Sequence, residues 1–122
     1  MSNRAIQISK WVSLLVCVGA SLMYLNGALY AVWLAGGPPT SNPQAWLHLS
    51  VIRFSISLAA LLFGSALFRQ LPCFPRPDKV SIFLLVLAAL SLAFPHASEF
   101  LSIDSCLDLG GRWNYDAYEC EK

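Results

Sequence analysis

The chain has 122 residues, a length that suits one domain. Hydrophobic residues make up 57% and charged residues only 12%, about half of the roughly 25% usual in soluble domains, which leaves too little polar surface to keep a small globule in water. The net charge is +1 and no basic cluster is present, so a nucleic-acid-binding patch is excluded.

The missing charge is missing in blocks. No Asp, Glu, Lys or Arg occurs from Trp11 to Ile52, from Phe54 to Phe68 or from Val80 to Ser98. Apolar runs of about 18 or more residues read as membrane spans. The fold class expected is an all-α membrane protein with three transmembrane helices, N-terminus in and C-terminus out. Residues 1–103 form the transmembrane domain, and residues 104–122 form a small disulfide-closed extracytoplasmic tail.

The first span is expected over about residues 12–34, with Trp11 and Trp33 at its ends, where amphipathic aromatic rings favour the membrane–water boundary. Arg4 and Lys10 supply a basic start, but the apolar stretch is longer than the roughly 7–15 residues of a signal-peptide core, so it reads as a retained anchor. The Gly- and Pro-rich run from Ala35 to Gln44 is a loop. Ser41 or Asn42 is placed to cap the second helix, with Pro43 in its first turn.

The second span is expected over about residues 46–68 and contains one charge, Arg53. Pro72, Pro75 and Pro77 then predict an extended, stiff connector. The third span is expected over about residues 80–101 and must continue through Pro95, because the 15 residues from Val80 to Phe94 rise only about 22 Å, short of a bilayer core of about 30 Å.

Arg4 and Lys10 precede the first span, and Arg69, Arg76 and Lys79 lie between the second and third. Six acids (Glu99, Asp104, Asp108, Asp116, Glu119 and Glu121) follow Pro95, against Arg112 and Lys122. Because positive residues favour the cytoplasmic side, the amino terminus and the connector are expected inside and the tail outside. Cysteine placement agrees. Cys106 and Cys120 share the outside tail, where a bridge persists, and closing a loop of about 15 residues contributes about 3 kcal/mol in the chain-entropy model. Cys17 and Cys73 fall where free thiols are expected.

Within the tail, Gly110-Gly111 reads as a hairpin turn, with Leu107 and Leu109 before it and Trp113 and Tyr115 after it alternating as short strands would. Trp113, Tyr115 and Tyr118 carry two readings. Either they lie at the lipid headgroups or in the tail's own small core, or, with Asp108 and Arg112, they form a face for a protein partner. Arg53 also has two readings. It is either a snorkelling side chain near the outer boundary or a buried charge paired with Glu99 and supported by Asn26 and Tyr24 or Tyr30. Gly27, Ala31, Ala60 and Gly64 are small residues suited to close helix packing, in the bundle or in a homo-oligomer. His48 and His96 fall at one level, but no further ligands accompany them, so neither metal nor cofactor is expected.

The pattern C-L-D-x-G-G-x-W from Cys106 to Trp113, followed by Cys120, resembles the tails of short bacterial inner-membrane proteins. Some of these look like immunity proteins that accompany antibacterial toxins. The resemblance spans only Cys106 to Cys120. It implies a periplasmic tail and, as partner, a toxin acting at the membrane or in the periplasm. No nucleophile-elbow, metalloprotease or phosphate-loop pattern occurs, so a non-enzymatic binding protein is expected. The other roles in view are an accessory subunit of a larger membrane complex and a holin-like pore.

Overall fold

The computed structural model describes residues 2–37 and 42–122. Three helices, α1 (Asn3–Gly36), α2 (Pro43–Gln70) and α3 (Lys79–Asp108), are followed by two short strands, β1 (Arg112–Asn114) and β2 (Glu119–Glu121). At about 1.5 Å per residue, helices of 34, 28 and 30 residues are roughly 51, 42 and 45 Å long. All three are long and apolar enough to cross a bilayer whose core is about 30 Å thick.

Each helix extends beyond the apolar segment that defines its span. Helix α1 starts on a capping bond from the Ala5 N–H to Ser2 Oγ (3.3 Å) and carries two polar turns before Trp11. At its other end the Gly37 N–H donates to the Trp33 carbonyl at 2.9 Å. Most of the expected Gly/Pro loop, residues 38–41 with Ser41 among them, lies outside the described residues. Asn42 occupies the N-cap of α2 without a side-chain capping bond, and Pro43 takes the first helical position, where its missing N–H costs nothing.

The connector between α2 and α3 differs from the extended one expected. A 3-10 turn at Leu71–Cys73 folds it back. The Gln70 side chain closes it from both sides, donating to the Arg76 carbonyl (3.0 Å) and accepting from the Asp78 N–H (3.1 Å). Arg69 adds an exposed ion pair to Asp78 with Nη2–Oδ2 at 3.0 Å. Prolines set the local φ values, but polar side chains able to bond free backbone groups set where the chain turns.

Helix α2 is central, packing along α1 on one side and α3 on the other, while α1 and α3 scarcely meet. What is inside and what is outside run opposite to a water-soluble bundle. The buried positions are small: Ser21, Ala28 and Ala31 on α1, Ser50, Ser55, Ser57, Ala59, Gly64 and Ala66 on α2, and Ser81, Ala88, Pro95 and Cys106 on α3. The large apolar side chains, such as Leu15, Val16, Leu29, Phe54, Phe63, Phe83 and Phe94, point outward. Exposing so much apolar surface to water is strongly unfavourable, whereas in lipid it carries no penalty and small residues let backbones approach.

The α1–α2 seam shows that approach. A Cβ on Gly64 would fall 2.6 Å from Cys17 Cβ, so only glycine fits. Higher up, Ser57 Oγ lies 2.9 Å from both the Ser21 carbonyl and Ser21 Oγ. A hydroxyl has one proton, so Ser57 donates to the carbonyl and Ser21 donates to Ser57. Such interhelical bonds contribute about 0.6 kcal/mol each in membranes. Trp11 and Phe68 meet edge-to-face at 5.3 Å, with Lys10 Nζ 4.1 Å above the Phe68 ring, at the same end of the bundle as the connector.

Candidate functional site

Helix α3 continues through Pro95 and past Ile103 to Asp108, so Cys106 stands on its last turn. The two glycines that follow end the helix and do not make a hairpin turn. Gly110 has φ +74°, its N–H donates to the Leu107 carbonyl (3.0 Å), and the Gly111 N–H donates to the Cys106 carbonyl (3.0 Å). This is a Schellman cap, and the expected hairpin centred on Gly110-Gly111 is corrected accordingly. Glycine–glycine supplies positive φ equally well for a helix stop and for a strand turn, and here Leu107 and Asp108 remain helical.

The antiparallel ribbon lies later in the chain. Strands β1 and β2 pair Arg112 with Glu121, Trp113 with Cys120 and Asn114 with Glu119. Asn114 Oδ1 builds the turn by accepting from the Asp116 N–H (2.9 Å) and the Ala117 N–H (3.2 Å), and Asn114 Nδ2 donates to Glu121 Oε1 at 2.7 Å. Cys120 returns to Cys106 and forms the expected disulfide. Gly111 makes the closure possible, since a Cβ there would lie 2.6 Å from Cys120 Sγ and 3.1 Å from Cys106 Sγ.

This closure lays the tail against the ends of α2 and α3. Tyr118, the only non-glycine among the described residues with positive φ (52°), stacks on His48 of α2, with ring centroids 4.2 Å apart and planes 23° apart. His48 Nε2 is 3.5 Å from Glu99 Oε2 of α3, close enough for an ion pair when the imidazole is protonated. Beside this contact lies a cleft of about 210 Å³ lined by Gln44, His48, Glu99, Ser102, Trp113 and Tyr118, among others. Trp113 Nε1 and His48 Nε2 are buried and have no hydrogen-bond partner within the protein.

The candidate residues separate into two groups. Trp113 and Tyr118 turn inward onto the helices. Asp108, Arg112 and Tyr115 point outward, with Tyr115 63% exposed. Arg53 and Glu99 do not pair. Arg53 Nη1 donates to the Gly27 carbonyl of α1 at 3.2 Å, and Glu99 faces His48 on the other side of α2. Asn26, Tyr24 and Tyr30 give Arg53 no hydrogen bond; Gly27 serves it twice, with its carbonyl and with the space left by its missing Cβ, which would lie 3.1 Å from Arg53 Cδ and Nη1. Ala31 is fully buried, and Ala60 lines a shallow cleft toward α3. His96 lines a different cleft from His48, and no cluster of potential metal ligands occurs among the described residues.

Sequence reasoning named Glu99, Trp113 and Tyr118 but missed His48 as their common neighbour. The signal was depth: His48 stands two residues past Trp46, and Glu99 lies four residues past Pro95 at the same end of the bundle. Comparison with known protein families, characterised proteins and solved structures finds none that matches this chain.

Proposed function

We propose that this chain is a non-enzymatic binding protein of the bacterial inner membrane, with its tail in the periplasm, and that it acts as an immunity protein against an antibacterial toxin. The observation that carries this reading is the fixed tail. A Schellman cap, a disulfide and the Tyr118–His48 stack hold its ribbon on the helices, and Asp108, Arg112 and Tyr115 remain facing outward. A rigid surface with an exposed aromatic and charges of both signs suits recognition of a protein, because little backbone ordering is needed on binding. The charge asymmetry of the sequence supports the orientation, with Arg69, Arg76 and Lys79 at the connector end.

The test is co-expression with the product of the adjacent gene. The chain should relieve that product's toxicity, and Tyr115→Ala with Arg112→Ala should abolish relief without lowering the amount of protein in the membrane. Absence of both relief and a complex on pull-down would refute the reading. A second reading, an accessory subunit of a larger membrane complex, draws on the open groove between α1 and α3. It requires a constitutive complex that survives mild detergent.

A further inference from the structure

Helices α1 and α3 diverge across α2 and leave an apolar groove of about 590 Å³, lined among others by Leu29, Val51, Phe54, Leu58, Leu90 and Phe94. The groove adjoins the polar cleft beneath the tail at a single residue. Val51 lines both. On α2 the lining positions 44, 47, 51, 54 and 58, and on α3 the positions 87, 91, 94, 98 and 102, each recur at helical spacing on one stripe. One face of the bundle therefore carries an apolar channel below and a polar chamber above.

The chamber combines two opposite kinds of group. Glu99 presents a carboxylate whose Oε2 faces His48 Nε2 at 3.5 Å, and the Ser102 hydroxyl, whose proton goes to the Ser98 carbonyl (2.9 Å), has only acceptor capacity left. The Tyr118 and Trp113 rings beside them attract a cation. Trp113 Nε1, a donor only, has no protein partner, and Gln44 adds an amide. A plain anion would be repelled by Glu99, and a plain cation would leave the indole N–H unpaired. A headgroup carrying both an ammonium and a phosphate meets both demands. At about 30 Å³ per water, a chamber of about 210 Å³ has room for some seven water-sized groups, enough for such a headgroup.

We infer that the groove and chamber together form a binding site for an aminophospholipid of the phosphatidylethanolamine class. The primary ammonium is held by Glu99 and Ser102, and an acyl chain lies between α1 and α3. A primary ammonium can donate to both oxygen acceptors, which a quaternary one cannot. The inference is independent of the immunity reading and of which leaflet the tail faces.

Native mass spectrometry of the full chain in mild detergent tests it, using phosphatidylethanolamine, phosphatidylcholine and phosphatidylglycerol with identical acyl chains. Phosphatidylethanolamine should bind about tenfold more tightly than either, the ratio expected from one charge-assisted contact. Glu99→Gln should abolish that preference, and Val51→Trp, which blocks the passage from groove to chamber, should reduce binding of all three lipids. An intact Cys106–Cys120 bridge on a non-reducing gel, together with an unchanged melting temperature in detergent, certifies each variant's fold. Equal binding of the three lipids, a preference for phosphatidylglycerol, an unaltered preference in Glu99→Gln, or a tightly held polypeptide helix that excludes lipid would each overturn the inference.

Discussion

Tyr118, in the tail, lies stacked on His48, in the second turn of α2, and its backbone adopts a left-handed conformation to reach it. That conformation costs a non-glycine residue about 1–2 kcal/mol, while an aromatic stack contributes about 0.5–1.5 kcal/mol beyond the area it buries. The contact and the strain nearly cancel, so the stack orients the tail more than it stabilises the fold.

Separating the two terms is straightforward. Tyr118→Ala loses the ring and keeps the strain, whereas Tyr118→Gly loses the ring and relieves the strain. The glycine variant should be more stable than the alanine variant by about 1 kcal/mol, read by thermal unfolding in detergent. In both variants the tail should become more sensitive to protease than in the parent, because its anchor on α2 is gone.

The disulfide acts on the tail and leaves the bundle intact. Cys120→Ser should cost about 3 kcal/mol of tail stability, in line with closure of a loop of about 15 residues. The expected result is cleavage within residues 109–122 under limited proteolysis, with the parent's helix content retained by circular dichroism. Gly111→Ala should hinder the same bridge, because its Cβ would sit 2.6 Å from Cys120 Sγ. Non-reducing electrophoresis would show a larger reduced fraction.

Close helix approach makes Gly64 sensitive to added volume. Gly64→Ala should destabilise by about 1–3 kcal/mol through overpacking, since the new methyl would lie 2.6 Å from Cys17 Cβ. Cys17→Ala should restore much of the loss only if the backbones also shift, because Cβ is retained. Cys17→Gly opens the space fully. A double-mutant cycle by thermal unfolding checks this coupling.

Arg53 is the charge whose role stability data can classify. Its visible support is one bond to the Gly27 carbonyl, worth about 0.6 kcal/mol, while a charge at a helix centre costs about 2.5–3.5 kcal/mol on insertion scales, part of which Arg53 bears seven residues past Trp46. Arg53→Leu should therefore leave the melting temperature in detergent unchanged or raise it. A loss of protection in the co-expression assay with the fold retained would assign Arg53 to partner contact.

The helices were readable because lipid imposes a single requirement, a long apolar run with internally bonded backbone, and blocks of missing charge reveal it directly. The Cys106–Cys120 bridge was readable because both cysteines follow the last apolar run and close a loop of about 15 residues. The tail's turn was not, because Gly110-Gly111 fits a helix stop as well as a hairpin, and the choice depended on how far α3 ran past Pro95. The partner of Arg53 was missed for a related reason. An acidic residue is the usual partner of an arginine, but between apolar helices a bare carbonyl exposed by Gly27 also serves, and glycine shows no charge in a sequence. Counting from the boundary tryptophans would have brought them level, with Gly27 six residues before Trp33 and Arg53 seven after Trp46.

The map of three spans with an oxidised tail is tested most directly by labelling spheroplasts with a membrane-impermeant maleimide. Cys73, in the connector, should stay unlabelled until the membrane is broken, and Cys106 and Cys120 should label on intact spheroplasts only after a reductant is added. Labelling of Cys73 from outside, together with protection of the reduced Cys106 and Cys120, would contradict it.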